Sequence, residues 1–285
     1  MGTRSNELSK ETFRKIFGKE YYSFDEGDVH YVVLDDVFYY ARHYAGYIEE
    51  SQLEWLENDL RDIKPGSKVV IFTHIPTWSR EARAGEYGKE EMNKIVGNRR
   101  ELYRILEPYD AHLCTAHEHY AENYELSDNL FEHVHAPLSG LFWQSLWSMD
   151  GVPWGYYVYT IKNGDISWYY KAVGQDKSVQ YTEYAVGEDR HKPDCIVANV
   201  WNYDPKWQVL WYEDGVLQGE MTKFSGWDTT ICNDVDQRRE KEFRWKYIGA
   251  GETQHLFYAK PSRPDAKLEI KVVDRFGNVC KPYRY

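Results

Sequence analysis

Two short apolar runs constrain this chain most: Lys68-Val69-Val70-Ile71-Phe72 and Ala111-His112-Leu113-Cys114-Thr115. Runs of this length and character predict strands, the first of them buried on both faces. The first leads into Thr73-His74-Ile75-Pro76 and the second into Ala116-His117-Glu118-His119. Between them the sequence predicts a polar, glycine-containing loop and a helix from about 98 to 106. Upstream, residues 5 to 17 carry Leu8, Phe13, Ile16 and Phe17 at helical spacing, with Gly18 as a stop. A strand follows at 30–34, ending in Asp35-Asp36. A second helix is expected from Ser51. Ser51 and Glu54 have capping-box spacing, and Leu53, Leu56 and Leu60 form an apolar stripe. Pro65-Gly66 marks the turn before Lys68. The first 120 residues therefore alternate helix and strand, the pattern of an α/β layer structure.

Downstream the helical signals stop. Strands are expected at 134–140, 155–161 and 166–171, the last two joined by an Asn163-Gly164 turn. Gly174-Gln175-Asp176-Lys177 reads as a hinge. Further strands are expected at 195–201, 207–212, 216–221, 255–260 and 267–274, which suggests a small antiparallel sandwich. The division is thus 1–174 for a first domain and 175–285 for a second.

Composition narrows the function classes. Apolar residues make up 42% of the 285, enough for a core, and aromatics make up 16%, which favours pleated, half-buried surfaces. The net charge of −11, with no basic stripe, argues against nucleic acid and against adhesion to anionic lipid. Cys114, Cys195, Cys232 and Cys280 form no C-x-x-C pair, so a thiolate zinc site is not expected. They read as small buried apolar residues, with a disulfide among the last three left open for an exported protein. Neither a signal peptide nor a transmembrane span is expected from the sequence as read. Location is not fixed by this; an extracytoplasmic parent fits the aromatic-rich composition.

The chemistry lies in the histidines. Neutral imidazole is a good metal ligand, and loops at the ends of buried strands are rigid places to converge ligands. His74 directly follows one strand, with Pro76 stiffening its loop. His117 and His119 follow another. If the backbone there is extended, residues two apart point to the same side.

The order strand-Thr-His-x-Pro, crossover, strand-x-His-x-His resembles the calcineurin-like metallophosphoesterases. Phe72-Thr73-His74-Ile75-Pro76 looks like their lone-histidine motif. Ala116-His117-Glu118-His119 looks like their Gly-His-x-His, with alanine in place of glycine. Tyr21-Tyr22-Ser23-Phe24, 29–35 and Gln52-Leu53-Glu54-Trp55-Leu56 also match. Ala198-Asn199-Val200-Trp201-Asn202 and 211–215 resemble a C-terminal β domain found on some bacterial members. The resemblance implies a layered α+β fold: a partial metallophosphoesterase β-sandwich with flanking helices, then a small antiparallel β-sandwich. It implies metal-assisted hydrolysis of a phosphate ester by a divalent pair (Mn, Fe or Zn), with His74 and His117 on one metal and His119 on the other. Ala116 is tolerable there if its φ is negative.

Other parts of the pattern are not found. The family's Asp-x-His, Gly-Asp-x-x-Asp and Gly-Asn-His motifs have no counterpart. Asp28-Val29-His30 precedes its strand instead of following one, and Gly97-Asn98-Arg99 lacks the histidine and comes too late. The sequence reads as beginning after the third motif, with metal binding and activity impaired and a sheet edge left open to pair with a second copy. His133 and His135 share a strand face and are candidate substrate contacts or outward polar residues. Trp143, Trp147 and Trp154, around an aromatic loop, are candidate pocket residues or core at a domain junction. Trp201, Trp207 and Trp211 read mostly as core, with a sugar-stacking platform as the alternative. From another class, the alternative is a non-catalytic module that recognises glycan or protein.

Overall fold

A computed structural model describes residues 4–80, 82 and 91–283. Residues 81 and 83–90, part of the loop read after Pro76, lie outside the described residues, as does the extreme N-terminus. The fold is a layered α+β arrangement dominated by sheet. Two compact units divide it: Met1–Glu118 with Asn123–His135 and Lys162–Asp165, and His119–Glu122 with Ala136–Ile161 and Ile166–Tyr285. The boundary expected at 174/175 falls inside the second unit.

The first unit opens with β1 (Arg4–Ser5), α1 (Asn6–Ser9) and α2 (Glu11–Phe17), and Gly18 ends α2 at φ +90. The apolar residues expected to form a stripe here do meet, with the Phe13 and Phe17 rings 5.1 Å apart. They face outward, however: Leu8, Phe13, Ile16 and Phe17 are all exposed. Next come β2 (Tyr22–Glu26), β3 (Val29–Val33), β4 (Val37–Ala41) and β5 (His43–Gly46). Then follow α3 (Glu50–Asp59), β6 (Lys68–Phe72), α4 (Arg99–Leu106), β7 (Asp110–Thr115), β8 (Glu122–Ser127) and β9 (Leu130–Val134).

Six of these strands form one sheet in the order β2-β3-β6-β7-β9-β8. The inner pairs β3/β6, β6/β7 and β7/β9 are parallel, while β2/β3 is antiparallel. Alternation along the strands puts Val69 and Ile71, and Ala111 and Leu113, on one face, where they cluster with Leu53, Leu56 and Leu60 of the α3 region and with Leu102, Ile105 and Leu106 of α4. Fully burying one such leucine contributes about 1.5–3 kcal/mol. The other face carries a stacked row: Phe24 on Tyr31 at 5.0 Å, and Tyr31 beside Phe72 at 6.4 Å.

Several expectations need correction here. Ser51 lies inside α3, whose N-cap is Glu49 without a side-chain cap, so the capping box is not formed. The strand expected at 134–140 is instead β9, ending at Val134; Pro137 withholds a ladder donor and Leu138-Ser139-Gly140 turn. Strand β8 was not anticipated.

The second unit contains the hairpin strands β10 (Gly155–Lys162) and β11 (Asp165–Ala172), turning at Asn163 (φ +54) and Gly164 (φ +78). Two consecutive left-handed residues are what a tight hairpin turn needs. It continues with β12 (Val179–Tyr184), β13 (Ile196–Val200), β14 (Gln208–Glu213), β15 (Val216–Glu220) and β16 (Thr222–Trp227). Helix α5 (Thr229–Glu242), β17 (Glu252–Ala259), β18 (Leu268–Val273) and β19 (Val279–Tyr283) complete it. Eight strands make one sheet, β15-β14-β18-β19-β12-β13-β17-β16. One pair, β12/β19, is parallel, and α5 breaks the expectation that helices cease. Trp201 and Trp207 are buried as expected. The four cysteines form no disulfide; Cys114, Cys195 and Cys280 are buried. Among the described residues no helix is long and apolar enough to cross a membrane.

Candidate functional site

Parallel pairing of β6 and β7, with Phe72 opposite Cys114, brings the two histidine loops side by side at one end of the sheet. Backbone bonds fasten them: Thr73 N–H donates to the Cys114 carbonyl at 3.2 Å, and Ala116 N–H to the His74 carbonyl at 3.0 Å. The rings meet there. His117 Nδ1 lies 3.0 Å from His74 Nε2, and the His117 Nε2 side faces the Tyr44 hydroxyl at 3.5 Å. Burial, followed by the neighbouring His117, pushes the His74 pKa down. That favours the neutral ring that a ligand or hydrogen-bond acceptor needs.

Two buried carboxylates, not anticipated as site residues, shape this loop. Asp36, at the end of the segment after β3, accepts the N–H groups of His74 (3.0 Å) and Ile75 (2.7 Å). Burial outweighs these bonds and raises its pKa to about 7. Glu132 on β9 accepts Thr77 N–H at 2.7 Å, the Thr77 hydroxyl at 2.5 Å and the Thr115 hydroxyl at 3.0 Å. It too is raised to about 7, by burial first. The loop from His74 to Thr77 is thus clamped at both ends by side chains that need no exposure to act. A charged residue within the wholly buried run Leu130–Val134 was the available signal for Glu132.

The backbone at the second motif corrects the sequence reading. His117 (φ +62) and His119 (φ +61) are both left-handed, so the argument from extended backbone does not apply. Ala116 is not among the residues with positive φ, so alanine is tolerated where the family has glycine. Left-handed non-glycine residues are uncommon and carry strain that the surroundings must hold. His119 belongs to the second unit, and its ring stacks on Phe142 at 4.3 Å.

His133 is fully buried rather than outward-facing. Its Nε2 meets His112 Nδ1 at 3.0 Å and its Nδ1 meets Asn123 Oδ1 at 3.2 Å. As a candidate substrate contact it is therefore misplaced, since a core position admits no ligand. The His135 ring runs parallel to it at 6.4 Å, and burial pushes its pKa down to about 4. Trp143 is 70% exposed and edge-on to Trp154 at 5.7 Å. His30 is held between Asp25 (2.7 Å) and Asp59 (2.9 Å), and Asn98 exchanges two bonds with the Ile48 backbone. Neither joins the histidine pair.

A metal pair of the kind the resemblance implies finds only part of its donor set. Two nitrogens on one tetrahedral metal stand roughly 3.3 Å apart, from bond lengths of about 2.0–2.1 Å. The His74 and His117 nitrogens fit two such corners. Among the described residues no group of three or more His, Cys, Asp or Glu converges as a metal site. The described residues therefore do not fit a dinuclear centre by themselves. Beside the pair, a cleft of about 350 Å³ is lined by Tyr44 together with Tyr40, Arg42, His43, Glu91, Met92 and Asn93.

No curated protein matches the chain. A family model does match, over residues 132–280, just over half of the sequence. That segment runs from Glu132 on β9 through the hairpin and the eight-stranded sheet to β19. The chain accordingly belongs to the family described as the C terminal of calcineurin-like phosphoesterase.

Proposed function

We propose that this chain is part of a metal-dependent phosphoric ester hydrolase, with His74 and His117 as donors to one metal, His119 as donor to a second, and a phosphate ester as substrate. The His74–His117 pair, 3.0 Å apart at the ends of adjacent parallel strands, is the observation that carries the reading. Asp36 holds the loop, and the neighbouring cleft offers room for an ester group. Activity of the chain alone is expected to be weak, because two donors do not close a metal centre and the sequence contains no bridging Gly-Asp-x-x-Asp. The test is hydrolysis of an aryl phosphate with added Mn²⁺ or Zn²⁺. Slow, metal-dependent turnover that His117→Ala removes is expected. Turnover that survives His117→Ala would refute the assignment.

A second reading is favoured by one observation. Trp143 is exposed on a loop where Phe142 (φ +52) and Trp143 (φ +65) are both left-handed. Exposed aromatics on a strained loop suit a non-catalytic glycan- or protein-binding module. Glycan-dependent quenching of tryptophan fluorescence, lost in Trp143→Ala and with no turnover under any metal, would favour the module.

A second copy of the chain is the proposed partner. β2 ends the six-stranded sheet, with Tyr22 and Phe24 exposed along it. Gel filtration at rising concentration is expected to show a dimer; a monomer at every concentration would contradict this.

A further inference from the structure

The second unit contains a buried polar knot that the hydrolase reading leaves unused. Asp150, Asn199, Asp228 and His255 are no more than 4% exposed. Asn199 Nδ2 donates to Asp228 Oδ2 at 2.7 Å and to the Asp150 carbonyl at 2.9 Å. Two acceptors fix the amide, so its oxygen faces His255 Nδ1 at 2.6 Å and that nitrogen carries the hydrogen. His255 Nε2 is turned to Asp150 Oδ2 at 3.4 Å. Asp228 is tied in turn to Tyr184 (2.7 Å) and caps α5 through Thr230 and Ile231 N–H. Gly151 packs so closely that a Cβ there would lie 2.1 Å from Asp228 Cγ. Asp150 is thus held at its backbone carbonyl by Asn199, and its carboxylate faces His255.

That carboxylate accepts two backbone N–H groups, one of them Val152 N–H on Oδ1 at 3.2 Å. Asp150 Oδ2 accepts the N–H of Ala121 at 2.6 Å. Ala121 lies two residues beyond His119, in the His119–Glu122 segment that packs with this unit. On the other side, the His119 ring rests on Phe142, with 29° between the planes. A left-handed, non-glycine His119 needs such restraint, because its backbone does not favour that conformation by itself. A buried acid supplies one anchor, and an aromatic ring supplies the other.

We propose that Asp150 and Phe142 are positioning residues for His119, so that the C-terminal domain serves to carry this histidine. The significance rests on the reading that His119 belongs to a phosphoester site; the geometry does not. Carbethoxylation of each histidine by diethyl pyrocarbonate, followed by mass spectrometry, tests it. In Asp150→Ala the rate at His119 is expected to rise at least fivefold, with His74 within twofold of wild type. Asp150→Asn keeps an oxygen for the Ala121 N–H and is expected to restore the slow rate. Phe142→Leu, which removes the stacked ring alone, is expected to raise the His119 rate as well. A His119 rate within twofold of wild type in both Asp150→Ala and Phe142→Leu overturns the proposal, as does Asp150→Asn reacting as fast as Asp150→Ala. If Asp150→Ala exposes all ten histidines together, its fold is lost and Phe142→Leu decides. Absence of phosphate-ester hydrolysis would leave these rates unchanged and count only against the hydrolase reading.

Discussion

Replacing Glu132 with alanine is expected to cost about 3–5 kcal/mol of stability, in the range found on breaking buried charged networks. The buried N–H of Thr77 would lose its acceptor, and the Thr77 and Thr115 hydroxyls would lose theirs. Each buried orphan costs about 1–3 kcal/mol, although Thr115 retains a bond to the His133 carbonyl at 3.3 Å. Glu132→Gln keeps an oxygen for Thr77 N–H and is expected to cost far less. Its effect depends on pH with a defined sign. Burial raises the folded-state pKa from 4.5 to about 7, against the lowering by the Thr77 and Thr115 bonds. A raised carboxyl pKa means the folded state holds the proton more tightly, so the stability it contributes is full below pH 4.5 and is lost as pH rises through 7. The loss is on the order of 3 kcal/mol. Glutamine cannot ionise, so Glu132→Gln should gain on wild type between pH 5 and pH 8. Denaturant midpoints at both pH values would show this; parallel changes in the two proteins would rule it out.

What the sequence made legible follows from how strongly local chemistry dictated each element. β6 was read from a continuous apolar run, β7 from a short strand-like segment, and the hairpin at Asn163-Gly164 from residues that tolerate positive φ. These signals are local, and they survive folding unchanged. α5 was not read, because Thr229–Glu242 buries only Ile231 and Val235 among its apolar residues, too few for a visible period. Its one clear signal was Asp228, an N-cap acid accepting the N–H groups of Thr230 and Ile231. The capping box at Ser51 failed for the opposite reason: the spacing was present, but the N-cap of α3 is Glu49, two residues earlier.

At the candidate site, His74 and His117 were found from their strand context, and the structure brings them together. The left-handed backbone at His117 and His119 was not legible, since nothing in His-Glu-His encodes it locally; for His119 the proposed restraints are Asp150, through Ala121, and Phe142. Asp36 and Glu132 act through backbone N–H groups far away in sequence, 38 and 55 residues from their partners His74 and Thr77. Such long-range clamps leave only a weak trace, a carboxylate in or at the end of a buried strand.

As proposed, His74 and His117 would supply two corners of a metal site and no more. Complete structural zinc sites bind with apparent free energies of about 10–16 kcal/mol because three or four preformed donors act together. Here His117 has its Nδ1 beside His74 and its Nε2 toward Tyr44, so a metal must displace one of these contacts to bind. No third donor converges among the described residues to repay that displacement. Zinc affinity should therefore lie orders of magnitude below that of a closed site, and His117→Ala should abolish what remains. The most direct measurement is a calorimetric zinc titration of protein purified without chelator. Weak binding near one equivalent, lost in His117→Ala, is the predicted result. Two tightly held equivalents, or binding unchanged by His117→Ala, would contradict the account.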